Sequence, residues 1–253
     1  MTQHRDDLAP QRILVAHQPA YLPWQGYFAR LLDVNRLVLL DHVQFAERGR
    51  QHRNVIRGPG AGQHLLSIPV RRSGRFGQVI REVEIADPRW AQRHWRTLEQ
   101  NYRRAPYFDD LRDDLRRVYQ HPWTTLHEVN TALIRLMLDV LDLPIQIEYS
   151  STISPAGRKT AMLIDLARRT GASVLRVGIS APRYLDAALL AQAGIGVEII
   201  NYTHHPYPQG NDPFLPGLTA LDLSLHQGPA AHSVLAAGVS LRRWEPADSG
   251  DQP

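Results

Sequence analysis

Apolar residues recur along this chain with two different spacings, one typical of strands and the other of helices. The run RILVA covers residues 12–16, and the run RLVLLDHV covers residues 36–43. Nearly continuous apolar runs of this length are typical of strands that are buried on both faces of a parallel sheet. Between the two runs, GYFARLLDV has the apolar spacing of a short amphipathic helix. Strand, loop, helix and strand in this order predict a βαβ unit.

The pattern then changes to a hairpin and afterwards to helices. The segments HLLSIPV (64–70) and IREVEI (80–85) flank a turn rich in glycine and arginine, and together they predict a β-hairpin. From about 88 to 143 three helical patterns follow one another. The first opens on Asp87 and Pro88, a capping residue followed by proline at the first helical position.

Strand and helix patterns alternate again after these helices. Strands are predicted over IQIEYSS, ASVLRVG and GVEIINY, and helices over RKTAMLIDLARRT and YLDAALLAQAG, each ending close to a glycine. Regular alternation of this kind predicts a parallel sheet with right-handed crossovers. The expected fold class is therefore α/β, an open, mostly parallel, Rossmann-like sheet with a helical insertion at about 88–143 between its two halves.

Composition and charge limit the classes of protein that fit this fold. Residues 11–244 are predicted to form a single α/β domain, and the polar, non-periodic segments 1–10 and 245–253 are predicted to be flexible tails. No apolar run is long enough to cross a bilayer and the N-terminus lacks an apolar signal core, so we expect a cytoplasmic protein without membrane insertion. The absence of cysteine excludes disulfides, thiolate nucleophiles and cysteine-ligated metals.

The charge balance is mildly basic and is carried almost entirely by arginine. The formal net charge is +4, and Lys159 is the only lysine among the 29 lysines and arginines. A basic balance favours acidic partners such as nucleic acid, phosphorylated substrates or an acidic carrier protein.

Polar and reactive side chains collect where the predicted strands end. In open parallel sheets the ligand lies beyond the carboxyl ends of the strands, where these loops meet. We therefore expect one crevice joining the loop 17–27 to the segment 204–209. The side chains concerned follow four different strands; they are His17 and Gln18, then Asp41, His42 and Gln44, then Ser180, and finally His204, His205, Tyr207 and Gln209.

Some of these residues also have a purely structural interpretation. His17 suits a hydrogen-bonded structural histidine, Asp41 a loop cap, and Trp24 and Tyr27 core packing. A metal site is not favoured, because the histidines lack the usual ligand spacing. Ser180 lies in VGISAP, which lacks the GxSxG elbow of a nucleophilic serine. The chain also contains no GxxxxGK[ST] phosphate loop, and GPGAG at 58–62 does not fit GxGxxG.

Motifs spread over about residues 12–229 carry a resemblance to a known family. The segments are HQPAYLPWQGYF, LDHVQFAERGRQHRNVI, AGRKTAMLIDLARRTGASVLRVG, SAPRYLD, HHPYPQ and FLPGLTALDLSLHQGP. Together they resemble the WbqC-like family, which is found with O-antigen and related bacterial biosynthetic genes and for which a glycine transferase role has been suggested. The chain departs from the family pattern at His42, where an acidic residue is commoner, at His52, where asparagine is commoner, and at Ala181-Pro182, where a glycine is expected.

The resemblance implies an aminoacyl transferase, an enzyme that forms an amide on an amine of a sugar or secondary metabolite. Such acyl transfer needs a base, donors for the developing oxyanion and a surface for the acyl carrier. We expect His17 or His205 as the base, oriented by Asp41, and Lys159 at a helix start as an anion site. The residues expected to bind substrate lie in the same motifs; they are Gln18, Tyr21, Trp24, Tyr27, Gln44, Arg53, Asn54, Ser180, Tyr207 and Gln209.

The expected donor is a thioester on an acidic acyl or peptidyl carrier protein, or an aminoacyl-tRNA, and the acceptor is a small amine. No cofactor and no metal are expected. The alternative is an ATP-dependent amide ligase, because the opening motif is loosely similar in position to the HxGH loop of nucleotidyltransferases. A third possibility is a non-catalytic sugar-binding subunit, since tryptophan, tyrosine and glutamine in one loop suit carbohydrate stacking.

Overall fold

The computed structural model describes residues 12–60, 62–210 and 213–244. Within these residues the strands are β1 (Ile13–His17), β2 (Arg36–Leu39), β3 (Arg53–Arg57), β4 (Gln63–Ser67), β5 (Gln146–Tyr149), β6 (Val174–Gly178), β7 (Gly196–Tyr202) and β8 (Val239–Arg243). The helices are α1 (Gln25–Ala29), α2 (Trp90–Tyr102), α3 (Phe108–Gln120), α4 (Leu126–Val140), α5 (Ser150–Ile153), α6 (Lys159–Thr170), α7 (Ala187–Gln192), α8 (Ala220–Gln227) and α9 (Ala231–Ala237).

Six strands form one sheet in the order β5-β2-β1-β6-β7-β8. The pairings from β5 to β7 are all parallel, and β8 closes one edge antiparallel to β7. β2 and β5 follow β1 on one side of it, and β6 then pairs with the other side of β1. Beyond the carboxyl ends of β1 and β6 the order reverses, and this is the topological switch point of a doubly wound sheet. The expected fold class is confirmed.

Side chains of the inner strands alternate between two hydrophobic cores, one on each face of the sheet. In β1, Leu14 packs with α6 and α7, whereas Val15 packs with α1 and the helical insertion. Strand residues point alternately to opposite faces, so a strand covered on both sides is apolar at nearly every position. This explains why the first two strands are continuous apolar runs in the sequence.

The helices α2, α3 and α4 lie between β2 and β5 along the chain, and their apolar sides extend the larger core. The start of α4 is fixed by a capping box, in which Thr125 accepts a hydrogen bond from the backbone N–H of Glu128 and the Glu128 carboxylate accepts one from the backbone N–H of Thr125. None of the helices within the described residues is long and apolar enough to cross a bilayer.

The predicted hairpin between 64–70 and 80–85 is wrong. β4 pairs with β3 instead, across the loop that contains GPGAG, with Arg53 opposite Ser67 and Arg57 opposite Gln63. Residues 80–82 form a 3-10 turn, and only an isolated bridge joins Val70 to Ile85. Pro69 has no N–H to donate, and β4 ends before it. Beyond β4 the two segments are joined by the bonds of that one bridge, from Arg71 N–H to the carbonyl oxygen of Glu84 and from Ala86 N–H to the carbonyl oxygen of Pro69. The predicted tails 1–10 and 245–253 lie outside the described residues.

Candidate functional site

The carboxyl ends of β1, β2 and β5 are level with one another. His17 pairs with Leu39, and Leu39 pairs with Tyr149. On the other side of β1, the pairs Ile13 with Val174 and Leu14 with Leu175, continued along the strands, bring His17 level with Gly178. The loops that follow these strands therefore start from one row of the sheet, as the sequence predicts.

A cavity of about 780 Å³ opens on the α6 face of this edge. Its volume lies within the usual range for small-molecule sites. The walls are mainly apolar and come from β1, β6 and α6, among them Leu14, Ala16, Leu163, Leu175 and Val177. None of the described residues that line it is an aspartate or glutamate, so the cavity is suited to a ligand with an apolar body and a neutral or anionic head.

The start of α6 supplies the positive end of the cavity. Gly157, Arg158 and Lys159 line it there, and Lys159 has a left-handed backbone with φ of 51°. Arg158 is the N-cap residue, and its side chain makes no capping hydrogen bond to the first helical N–H groups. These N–H groups and two cationic side chains together form a site of the kind that binds phosphate or carboxylate.

A chain of hydrogen bonds leads from a buried carboxylate to a histidine in the cavity wall. Ser150 Oγ donates to Asp41 Oδ1 at 2.9 Å, and His42 Nδ1 lies 2.5 Å from Ser150 Oγ. Because the hydroxyl hydrogen is directed to Asp41, Ser150 can only accept from His42. The proton of neutral His42 is therefore on Nδ1, and Nε2 keeps its lone pair. His42 lines the cavity.

Asp41 is held as a carboxylate by the residues that begin α5. Besides Ser150, Ser151 donates to it twice, from its backbone N–H at 2.8 Å and from its hydroxyl at 2.5 Å. Burial alone raises the pKa of Asp41, but these hydrogen bonds and the nearby His127 outweigh it, so the pKa is below its usual value. The predicted contact of Asp41 with His17 is not present: the structure directs this carboxylate to Ser150 and Ser151.

His17 lies on the opposite face of the sheet from the cavity. Gln18 and His17 are successive residues and point to opposite faces, so only Gln18 lines the cavity. The His17 ring packs edge-on against Tyr27 at a centroid distance of 4.6 Å, and its Nδ1 lies 2.9 Å from the carbonyl oxygen of Gln18. Burial first, and the charge of Arg30 second, lower the pKa of His17 to about 3.

The opening motif is mostly a packing unit. Tyr21 is fully buried, and its hydroxyl lies 2.7 Å from both His94 Nδ1 and Tyr119 Oη in the helical insertion. Asn54 donates to the carbonyl oxygens of Tyr21 and Leu22, which holds Leu22 in a left-handed conformation with φ of 41°. Both predicted substrate residues, Tyr21 and Asn54, therefore lie in the interior.

The predicted C-terminal residues belong to a second polar network, also buried. Asp222 accepts hydrogen bonds from Tyr102, Tyr207 and Gln209 at 2.8 to 3.0 Å. Gln25 donates to the Tyr207 hydroxyl, so the two segments do meet, but in the buried interior. The expected crevice between 17–27 and 204–209 is wrong, because no residue of 204–209 lines the cavity. His205 is exposed, and its Nε2 lies 2.8 Å from the carbonyl oxygen of Ala237, outside the cavity.

The predicted site residues thus separate into three groups. Those that line the cavity are Gln18, Gln44 and Lys159. Those that the structure places elsewhere on the surface or half-buried are His17, Trp24, Arg53, Ser180 and His205. Those that are buried outside the cavity are Tyr21, Tyr27, Asp41, Asn54, Tyr207 and Gln209. Two residues of the site were missed as catalytic candidates, His42 and Ser150; the polar pair Ser150-Ser151 directly after the strand IQIEY was the available signal.

The fold and this edge define a doubly wound α/β protein with a ligand cavity at the topological switch point. The chain belongs to the WbqC-like protein family, which it matches over residues 18–234. It is 31% identical over 220 residues to an uncharacterized protein of Mycobacterium tuberculosis, Rv1507c, and the alignment covers 86% of this chain and 95% of that protein. No solved structure matches the chain.

Proposed function

We propose that this protein is an acyltransferase that forms an amide between an aminoacyl group, glycyl by family resemblance, and an amine on a sugar or secondary metabolite. The observation that carries the proposal is the Asp41–Ser150–His42 hydrogen-bond chain in the cavity wall. A histidine whose Nδ1–H is held by Ser150 presents Nε2 as the base that amine acylation needs. His42 takes the place that the sequence analysis gave to His17 or His205.

The proposed step balances with a thioester donor. The neutral amine attacks the thioester carbonyl, a C–N bond forms and the C–S bond breaks. The proton lost from nitrogen passes to His42 Nε2 and then to the departing thiolate, which leaves as a thiol. The positive charge that develops on His42 is stabilised through Ser150 by the carboxylate of Asp41, which burial and hydrogen bonding keep fixed.

The cavity supports a donor with an apolar arm and a phosphate. Its walls are mainly apolar, while Arg158 and Lys159 form no ion pair within the described part of the chain and face the cavity at the start of α6. A phosphopantetheine arm on an acidic carrier protein has this chemistry, with the phosphate at Lys159 and the thioester toward His42. An aminoacyl-tRNA offers phosphates of the same charge and is the other donor to be tested.

The test compares donors under matched conditions. Purified protein is incubated with a panel of amino sugars and either glycyl-loaded carrier protein without ATP, glycyl-tRNA without ATP, or free glycine with ATP, and products are read by mass spectrometry. We expect amide from a preloaded donor without nucleotide, and a rate loss of roughly 10²-fold or more in His42→Gln, the scale for losing a general base.

Each other result has a defined meaning. Product from free glycine only when ATP is added identifies a ligase and contradicts the transferase proposal. Binding of sugar without turnover across all donors identifies a binding subunit. A His42→Gln variant with unchanged rate removes His42 from the mechanism, even if transfer itself is observed.

A further inference from the structure

A second cationic position lies at the same edge of the sheet, on the face opposite the cavity. Arg30 follows α1 directly, and its guanidinium reaches back over the end of β6. A Cβ placed on Gly178 would lie 3.1 Å from Arg30 Nη2. This contact is closer than ordinary packing, so glycine at this position leaves the space that the guanidinium occupies.

Two buried polar atoms here have no hydrogen-bond partner among the described residues. They are the Nε of Arg30 and the hydroxyl of Tyr27, whose side chains interact electrostatically. Buried atoms of this kind are normally satisfied, so each needs an explanation such as ordered water, an ion or a bound ligand. Tyr27 packs against His17, which is level with Gly178, so all of these groups surround one position between β1 and β6.

The charge of Arg30 also lacks a counter-charge. Among the described residues no carboxylate forms an ion pair with it. Arg176, two residues before Gly178 in β6, shows the usual arrangement: its Nε lies 2.9 Å from Glu198, and its Nη1 donates to the carbonyl oxygen of Leu32. Arg30 is half-buried, and charged groups that are partly removed from water are normally paired in this way, because desolvation of an unpaired charge is costly.

The electrostatics show a poorly solvated positive charge at this place. Burial lowers the pKa of Arg30, although the neighbouring phenols of Tyr27 and Tyr184 act in the opposite direction. Burial first, and the Arg30 charge second, lower the pKa of His17. The place itself is the switch point between β1 and β6, where open α/β sheets bind their ligands.

We propose that Arg30 and the Tyr27 hydroxyl bind an oxyanion, the phosphate or carboxylate of a small-molecule ligand, at the switch point. The guanidinium offers donors in a planar fork and the phenol adds one more, a set that suits the oxygens of such a group. This site is separate from the anion site of Lys159, which lies on the α6 face. It does not depend on acyl transfer being the reaction.

The test measures anion binding directly and needs no turnover. Inorganic phosphate and acetate are titrated separately into the protein, and binding is followed by the NMR signals of the His17 ring. We expect saturable shifts with at least one of the two anions, and the stronger one identifies phosphate or carboxylate as the ligand group. Arg30→Gln should weaken binding about tenfold or more, because it removes the charge-assisted hydrogen bonds.

Two further variants keep the result interpretable. Arg116→Gln removes one exposed arginine of α3 and should bind like the wild type, which controls for net charge. Tyr27→Phe removes the phenol alone and should weaken binding by a smaller factor, which supports the site even if Arg30→Gln fails to fold. The proposal is overturned if neither anion shifts the His17 signals, as expected of a site satisfied by water, or if neither Arg30→Gln nor Tyr27→Phe weakens binding.

Discussion

His42 Nδ1 and Ser150 Oγ lie 2.5 Å apart, and Ser150 in turn donates to the buried carboxylate of Asp41. His42 lies in the loop that follows β2, and Ser150 begins α5 directly after β5. They meet because these neighbouring strands end at the same level. The contact fixes which nitrogen of His42 carries the proton and so determines the chemistry available at the cavity wall.

The first prediction concerns this contact. Ser150→Ala removes the acceptor for His42 Nδ1–H, so the ring loses its fixed orientation and its link to Asp41. We expect transfer to slow by roughly tenfold or more, less than in His42→Gln, since the base itself remains. The rate is measured with the donor that supports transfer by the wild type, at a temperature where circular dichroism shows both proteins folded.

Ser151→Ala is the matched control for this variant. It also removes one hydroxyl bond to Asp41, of 2.5 Å, but it leaves the contact between Ser150 and His42 in place. We expect its rate to stay within a few-fold of the wild type. Equal losses in the two variants would mean that the carboxylate environment matters and the orientation of His42 does not.

The second prediction concerns the only lysine. Lys159→Gln removes a charge at the start of α6 while keeping a side chain of similar length. If Lys159 binds the phosphate of the donor, KM for the donor should rise about tenfold with little change in kcat, the result of losing binding that is uniform along the reaction. Added salt should raise KM in the wild type and have less effect in the variant.

Arg168→Gln is the control, because Arg168 is exposed in the last turn of the same helix. It changes the net charge equally but lies far from the helix start, and we expect wild-type KM. An unchanged KM in Lys159→Gln would place the donor phosphate elsewhere.

The sheet could be predicted well from the sequence because its strands are buried on both faces. The strands β1, β2, β6 and β7 read as apolar runs, and the helices between them end near Gly171 and Gly194, where the chain adopts left-handed angles. The hairpin was predicted wrongly because strand pairing depends on which segments meet in space. The pattern of 80–85 resembles a strand, but it is held by single bridges rather than a ladder.

The site was harder to predict because the sequence does not show on which face of the sheet a residue at a strand end will lie. His17 and Gln18 are adjacent, yet only Gln18 lines the cavity. Motif residues such as Tyr21 and Asn54 proved to be interior residues that shape the first loop. Conversely, Arg30 belongs to no motif that suggests binding, and only the three-dimensional structure shows that no carboxylate of the described residues pairs with it.

The third prediction concerns Gly26 in the opening motif. A Cβ at this position would lie 2.2 to 2.6 Å from atoms of the Trp24 indole, which itself packs against Tyr202 and His204. Gly26→Ala therefore must displace the ring, and we expect a loss of about 1–3 kcal/mol in the free energy of unfolding, as for other overpacked sites. Urea unfolding followed by tryptophan fluorescence measures it.

Gly196→Ala provides the comparison. Its Cβ would meet Val174 at 3.5 Å, an ordinary contact, and Gly196 does not have a positive φ. We expect a change within about 0.5 kcal/mol. If the two substitutions lower the free energy of unfolding by the same amount, the close approach of Trp24 is not the reason why position 26 requires glycine.

The fourth prediction is a loss of stability in mild acid to which two buried histidines contribute measurably, alongside His17, whose lowered pKa acts in the same direction. His52 and His94 are 4% and 7% exposed, and burial, as the largest cause, lowers the pKa of each to about 4. In the unfolded chain a histidine has a pKa of about 6.5. As the pH falls below about 6.5, these histidines bind protons in the unfolded chain but remain neutral in the folded protein. Their contribution to stability is therefore complete above about pH 6.5 and decreases as the pH falls to about 4.

Each histidine should lower the free energy of unfolding by about 1–2 kcal/mol between neutral pH and about pH 5. Urea unfolding at several pH values in this range measures the slope of the free energy of unfolding against pH. His52→Asn and His94→Gln remove one titrating group each, and Gln at 94 keeps a polar partner for the Tyr21 hydroxyl. Both variants should flatten the slope, and their combination should flatten it further.

Asp222, whose pKa is raised mainly by burial, has the opposite effect on the slope. Its carboxyl group binds a proton more tightly in the folded state, so it stabilises the folded protein as the pH falls. A slope that stays as steep in the double variant would therefore assign the acid sensitivity to groups other than these two histidines.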